Sequence, residues 1–390
     1  MQTPFHDPLI IPLADGYLGL STDLRFTNVT ARMSDDLLTW SEPFSLLKET
    51  PLSVLRHVNT DHFWAPELVK RGDTWRLYYC ASRPGQTQSV IGLAQSDKPR
   101  GPYTYVGDVV VSQHSQTFTQ ANAIDPCVIA DREGKDWLIY GSFFGGIRIL
   151  PLGKDGFKTA YHEGNCIAGG NHQAIEGAYA YYHAPSDRYI LFTSWGDLGY
   201  DYHIRVAYSQ QLTGPYTDSR GCVMTDLDPI HIPGDKLCGG YNFDLPGFHG
   251  VKAMGHNSLM FNPADGQLYM VHHARPEGER GRPFLQIRRL MFLEDGRVLA
   301  WPLTYDGHPL VPADTLPERW RMVYLSRANR GVVYGRPVTL GQAQAVHQGD
   351  RIRMQLFFKE WEGYAYRQGP HVACTLISSD GEALWGVAEE

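Results

Sequence analysis

The stretch EGKDWLIYGSF, residues 133–143, sets a polar turn ahead of an aromatic residue and an apolar run that stops at Gly141. A short run rich in β-branched and aromatic residues between turn signals reads as a strand. The same order returns four times: ADGYLGLST at 14, RGDTWRLYYCAS at 71, SDRYILFTSW at 186 and ADGQLYMVHHA at 264. A second element, a polar turn leading to an aromatic, trails three of them: SDDLLTWSEPF (34–44), SDKPRGPYTYVGD (96–108) and SQQLTGPYTDSRG (209–221). Helical apolar periodicity is almost absent. Five echoes at intervals of about 50 to 80 residues suit four-stranded blades set radially around a channel. The chain is therefore expected to be all-β, with a five-bladed β-propeller over residues 1–312. A sandwich would give no reason for five copies of one unit.

After the Pro-rich stretch LTYDGHPLVPADTLPERW (303–320) the pattern changes. Residues 313–390 read as some six short strands, enough for a small all-β barrel or sandwich packed on the propeller.

Bulk properties narrow the function. The 390 residues are 43% hydrophobic and 20% charged, which is globular composition, and the net charge of −7 leaves no basic stripe for nucleic acid. A neutral polar ligand fits better. Cys80, Cys127, Cys166, Cys222, Cys238 and Cys374 contain no CxxC pair, so neither a zinc site nor a disulfide framework is expected. No apolar stretch reaches 18 residues, and MQTPFHDPLI is not the start of a secretion signal. As written the protein reads as cytoplasmic, with secretion the alternative if a leader has been trimmed away.

Two aspartates precede prolines where strands are due to begin: Asp7 in HDP and Asp125 in NAIDP (122–126). Proline cannot donate to a sheet ladder and belongs at a strand's first residue or edge. Inner strands of a propeller begin at the axis, so these acids from different blades should meet there. Glu176, ahead of the fourth apolar run, stands at the corresponding point. Carboxylates crowded in a low-dielectric pit push their pKa values apart, which leaves one protonated and one ionised. That division suits glycosidic cleavage, in which an inverting enzyme needs an acid and a base with room for water between them.

In order, HDP, FWAPELV, SVIGLAQS, NAIDP, GSFFGGI, IEGAY, HIRVAYSQQLTGPY and GHNSLMF resemble glycoside hydrolase family 43, most of all its arabinanase branch, across about residues 5–300. The tail is similar, more weakly, to the small β-domain of longer members. The resemblance implies Asp7 as general base, Asp125 as the carboxylate that tunes and orients the acid, and Glu176 as general acid. It implies that His256, in GHNS, points into the axis beside a calcium or similar hydrated cation; taken alone, that histidine would read as a core residue. It also implies sugar contacts for Trp64, whose other reading is packing between blades, and for Asn122, Ser142 and Phe143. Arg205, in HIRV, reads as structural at least.

The function expected is inverting cleavage of α-1,5-linked L-arabinofuranosyl bonds in arabinan or arabino-oligosaccharides, with endo action favoured and exo action open. An α-L-arabinofuranosidase or β-xylosidase on the same scaffold is the alternative, since pocket loops choose the sugar. A non-catalytic carbohydrate-binding propeller is the alternative of another class; it would have no reason to crowd carboxylates. Asp228 in LDP reads as a turn acid, and Asp23, Asp61 and Asp244 as solvated loop acids. Gly177, where arabinanases usually carry alanine, and Glu67, closing WAPE, depart from the family pattern.

Overall fold

The computed structural model describes residues 3–22, 28–113, 120–159, 161–228, 230–278 and 281–389. Five antiparallel sheets follow one another along the chain. Blade I runs from Leu9–Leu13 through Gly16–Ser21 and Thr30–Ser34 to Phe44–Ser45, and blade II from Trp64–Arg71 through Thr74–Ala81 and Ser89–Ser96 to Thr104–Ser112. Blade III spans Cys127–Ala130, Asp136–Tyr140, Ile147–Pro151 and Asn165–Ala168. Blade IV spans Ile175–His183, Arg188–Trp195, His203–Ser209 and Asp235–Cys238. Blade V is built on Val251–Asn262, Gln267–Pro276, Phe284–Phe292 and Val298–Ala300, with Tyr241–Asn242 added at its start. The five-bladed propeller expected from the repeats is the fold observed.

In every blade the repeated motif is the turn and the second strand. These strands lie in mid-blade with a neighbouring blade over each face; in Thr74–Ala81 the last six residues are all buried. Such positions read as near-continuous apolar runs, as in any sheet covered on both sides. The apolar core is correspondingly divided. Separate clusters fill the gaps between blades I and II, II and III, III and IV, IV and V and V and I.

The C-terminal strands form one antiparallel sheet in the order Arg336–Thr339, Arg319–Leu325, Ala383–Ala388, His371–Ser378, Lys359–Gln368, Arg351–Leu356, Val346–Gln348, and Leu310–Pro312 pairs with Lys359–Gln368. The two ends do not pair, so the sheet is a curled half-barrel rather than a closed barrel or a two-sheet sandwich. One face wraps its own cluster around Trp320, Trp361 and Leu384. The other sends Val323, Tyr364, Trp385 and Val387 into the apolar layer between blades IV and V, a surface that closure would deny it. Val333–Tyr334 goes further and pairs in parallel with Tyr241–Asn242 of blade V. All six cysteines are free. Among the described residues no helix is long and apolar enough to cross a membrane.

Candidate active site

Where each inner strand meets the axis, one residue adopts the left-handed conformation: Asp7 (φ 52°), Ala65 (36°), Asp125 (58°), Gly177 (55°) and His256 (52°). With the residues that follow them, Pro8, Pro66, Pro126, Ala178 and Asn257, they line one small axial cavity. Positive φ is uncommon outside glycine, and strain repeated at four of these five equivalent points persists only where the surroundings over-determine it, as at functional sites. In blade II the ladder skips from Trp64 to Glu67, so Pro66 needs no partner there. Gly177 packs tightly against His256: a Cβ added to it would lie 3.0 Å from His256 Cγ.

Asp7, Asp125, Glu176 and His256 are brought together. Asp7 Oδ1 lies 3.0 Å from His256 Nδ1 and 3.6 Å from His273 Nδ1, Thr22 Oγ1 donates to Asp7 Oδ2, and the Asp7 N–H donates to His273 Nδ1 at 3.2 Å. Burial alone would push the Asp7 carboxyl up, but His256, His6 and His273 around it hold it well below the usual carboxylate range. Asp125 moves the other way. Burial raises it, Asp7 adds to that rise, and His256 and the Gly177 N–H, which donates to Asp125 Oδ2 at 3.0 Å, only partly offset them. Glu176 is raised furthest, to about 8, by burial and then by the charge of Asp125. His256 is pushed up to about 10: burial disfavours its charged form, but Asp7, Asp125 and Glu176 outweigh it. The cluster thus holds an ionised aspartate and a protonated glutamic acid around one axis, the division of labour that acid–base catalysis needs.

Several contributors carry no signal in the sequence. Tyr202 Oη donates to Glu176 Oε1 at 2.9 Å, and its ring stacks on His273 at 5.8 Å. A hydrogen bond to the charged form lowers a carboxyl pKa, so Tyr202→Phe, which keeps the stack, should raise the Glu176 pKa further. The basic limb of the pH profile of kcat/KM should move to higher pH; a limb that stayed put or fell would deny Tyr202 this role. Behind it, Arg205 is buried: Nε donates to His203 Nε2 at 2.9 Å and Nη2 donates to the carbonyl of Arg327 at 2.7 Å. Because His203 Nε2 accepts, its Nδ1 carries the proton and donates to the Asp201 carbonyl at 2.7 Å. The C-terminal segment therefore braces the loop that presents Tyr202 to Glu176.

The other sequence-derived positions lie around this centre. Trp64 opens the inner strand of blade II, half-buried against the layer between blades II and III. Asn122 and Ser142 are buried and bond each other at 3.4 Å, and Asn122 Oδ1 accepts from Ser89 at 2.6 Å. Phe143 donates its N–H to Ile175 O at 2.7 Å, which anchors the strand bearing Glu176. Asp61, Asp228 and Asp244 are exposed, and Asp228 closes a turn on the Ile230 N–H; Asp23 lies outside the described residues.

Deeper in the axis, Glu67 is buried and its carboxyl is raised to about 8 by burial, and neither side-chain amide atom of Asn257 has a partner among the described residues. Buried polar atoms are rarely left unsatisfied, so this orphan amide marks room for a polar guest. With Asp7, Asp125 and Glu67 it makes an oxygen-rich, acidic set beside His256, the chemistry a hydrated hard cation takes. His6 and His273 also neighbour Asp7 as a potential donor group, but His273 Nδ1 is already engaged by the Asp7 N–H.

A family model described as Glycosyl hydrolases family 43 matches residues 1–297, all of the propeller but the last strand of blade V. The chain belongs to this family. Among relatives of this glycosyl hydrolase, an extracellular endo-α-(1→5)-L-arabinanase of Thermotoga petrophila is 34% identical over 351 residues, covering 77% of this chain and 71% of the relative. An extracellular exo-α-(1→5)-L-arabinofuranosidase of Cellvibrio japonicus is 28% identical, covering 77% and 86%. The crystal structure of the endo-1,5-α-L-arabinanase from Thermotoga petrophila RKU-1 superposes with a TM-score of 0.90 at 27% identity over 100% of this chain and 99% of that one. The match extends through the curled C-terminal sheet, so both domains of this family 43 enzyme have counterparts there.

Proposed function

We propose that this glycosyl hydrolase cleaves α-1,5-linked L-arabinofuranosyl bonds in arabinan or arabino-oligosaccharides, with inversion and by endo action. The observation that carries the reading is the opposed pKa shifts of Asp7 and Glu176 in one axial pit. Glu176, protonated at neutral pH, gives its proton to the leaving glycosidic oxygen. Asp7, ionised, takes a proton from the water that attacks the opposite face of the sugar. Asp125 keeps Glu176 protonated through its charge and, tied to the Gly177 N–H, holds the acid's strand in register. A non-catalytic propeller leaves this crowding without a purpose.

The product profile on debranched arabinan tests the reading: a spread of oligosaccharides is expected. Release of one short product alone would shift the assignment to exo action, which the Cellvibrio relative's name makes the second reading. Release of a chromogen from an aryl arabinofuranoside without cleavage of the polymer would point to an α-L-arabinofuranosidase or β-xylosidase instead. Both relatives are named extracellular, which favours action outside the cell over the cytoplasmic alternative.

The same reading includes a hydrated calcium ion, or a similar cation, in the axis, held by His256, which would release its proton to do so, with Asp7, Asp125, Glu67 and Asn257 supplying oxygen atoms directly or through water. Such an ion supplies fixed positive charge beside the carboxylates. Prolonged chelation should lower both the melting temperature and the rate, and added calcium should restore them. No change in either would remove the ion from the proposal.

A further inference from the structure

The hairpin joining Arg351–Leu356 to Lys359–Gln368 closes on a two-residue turn, with Leu356 paired to Lys359. Its two central residues are Phe357 and Phe358, at φ 53° and 62°. A turn with positive φ at both positions prefers Asn-Gly, and a bulky side chain in that region is a genuine outlier. The turn spends stability to hold two rings at a fixed angle. Phe358 is fully exposed, and Phe357 stacks on Tyr324 with centroids 5.5 Å apart and planes 9° apart. Both rings, with Tyr324 and Tyr334, line a cavity of about 370 Å³ into which Ser326 and Arg336 bring a hydroxyl and a guanidinium. The nearby cation Lys359 is already paired with Asp380 and Glu382, so the site is built of rings and hydrogen-bonding groups more than of charge.

A chain of contacts links this cavity to the loop that carries Tyr202. Tyr334, half-exposed, hydrogen-bonds Glu277 at the end of blade V's second strand. Arg275 on that strand donates to the carbonyl of Leu198 at 3.0 Å, in the loop that carries Tyr202. Three residues before Tyr334, Gly331 lies against the ring of Tyr200 in the same loop, and Tyr200 is itself exposed. Aromatic faces with adjacent polar groups suit a neutral polyhydroxylated ligand. We propose that the C-terminal half-barrel carries a second carbohydrate site, at Tyr334 and the Phe357–Phe358 turn, that grips the arabinan chain as it leaves the catalytic mouth. This rests on the arabinan-hydrolase reading above.

The test is the double variant F357N/F358G in the full chain, which gives the turn the residues it prefers and removes both rings. The melting temperature should hold or rise, and kcat/KM on arabinotriose, the short substrate, should be unchanged. KM for linear arabinan should rise several-fold, and retention in an arabinan-containing native gel, measured in a Glu176→Gln background, should weaken. Unchanged KM and retention would overturn the second site. So would a concentration-dependent dimer of the parent that the variant loses, since the rings would then face a second copy of the chain. If the parent neither binds nor cleaves arabinan, it is the functional reading that fails; if the parent does both and the variant matches it, only the cavity fails.

Discussion

Glu176→Gln should lower kcat on linear arabinan by about 10²- to 10⁴-fold, the range a positioned general acid contributes. Glutamine keeps the volume and can still accept from Tyr202, so what is lost is the proton. Two further outcomes separate this from a folding defect. A substrate with a good aryl leaving group needs no protonation, and its cleavage should be largely spared. Stability should hold or rise at neutral pH. A carboxyl whose pKa is raised on folding, as that of Glu176 is to about 8, binds a proton in the native state that the unfolded chain has released. It therefore favours the unfolded chain increasingly as the pH climbs from its ordinary value toward the raised one. Glutamine removes that penalty. Near-normal turnover of arabinan by this variant would remove Glu176 from the acid's role.

Asp7→Ala should cost a similar factor of about 10²–10⁴ in kcat, but the leaving group should make no difference, because the water must be deprotonated whatever departs. Rescue by an aryl leaving group would place Asp7 on the acid's side. This variant also changes stability. Asp7 is held well below the usual carboxylate range, after burial is overcome, by His256, His6 and His273. Its depressed pKa contributes stability that is present above the unfolded value and disappears as the pH falls through the folded one. Without Asp7, buried His256 loses its 3.0 Å ion pair. Its melting temperature at neutral pH should fall below the parent's, and the two should converge in acid, as differential scanning over a pH series would read. A gap that widened toward low pH would contradict the pairing.

The propeller was legible because its second strands, covered on both faces, had to be continuously apolar, and five such strands announce themselves. The inner strands were less so, since each opens onto the polar axis, where apolar and polar residues mix; only the prolines of HDP and NAIDP gave two of them away. Tyr202 and Thr22 left no trace, one in the loop 196–202 and the other just past a strand, where nothing in local composition predicts which carboxylate a hydroxyl will reach. The open curl of the C-terminal sheet was equally hidden. Whether a sheet closes on itself or lends a face to a neighbour depends on the neighbour's surface.

The amino-acid sequence alone determined the repeat, the strand and turn chemistry, and which acids stand before strands, because these follow from residue type and spacing over a few positions. Tertiary structure decided which charges meet. Asp7 and Glu176 are 169 positions apart in the chain, and their opposite pKa shifts come from burial and from each other's neighbours, quantities that exist only once five blades have closed around one axis.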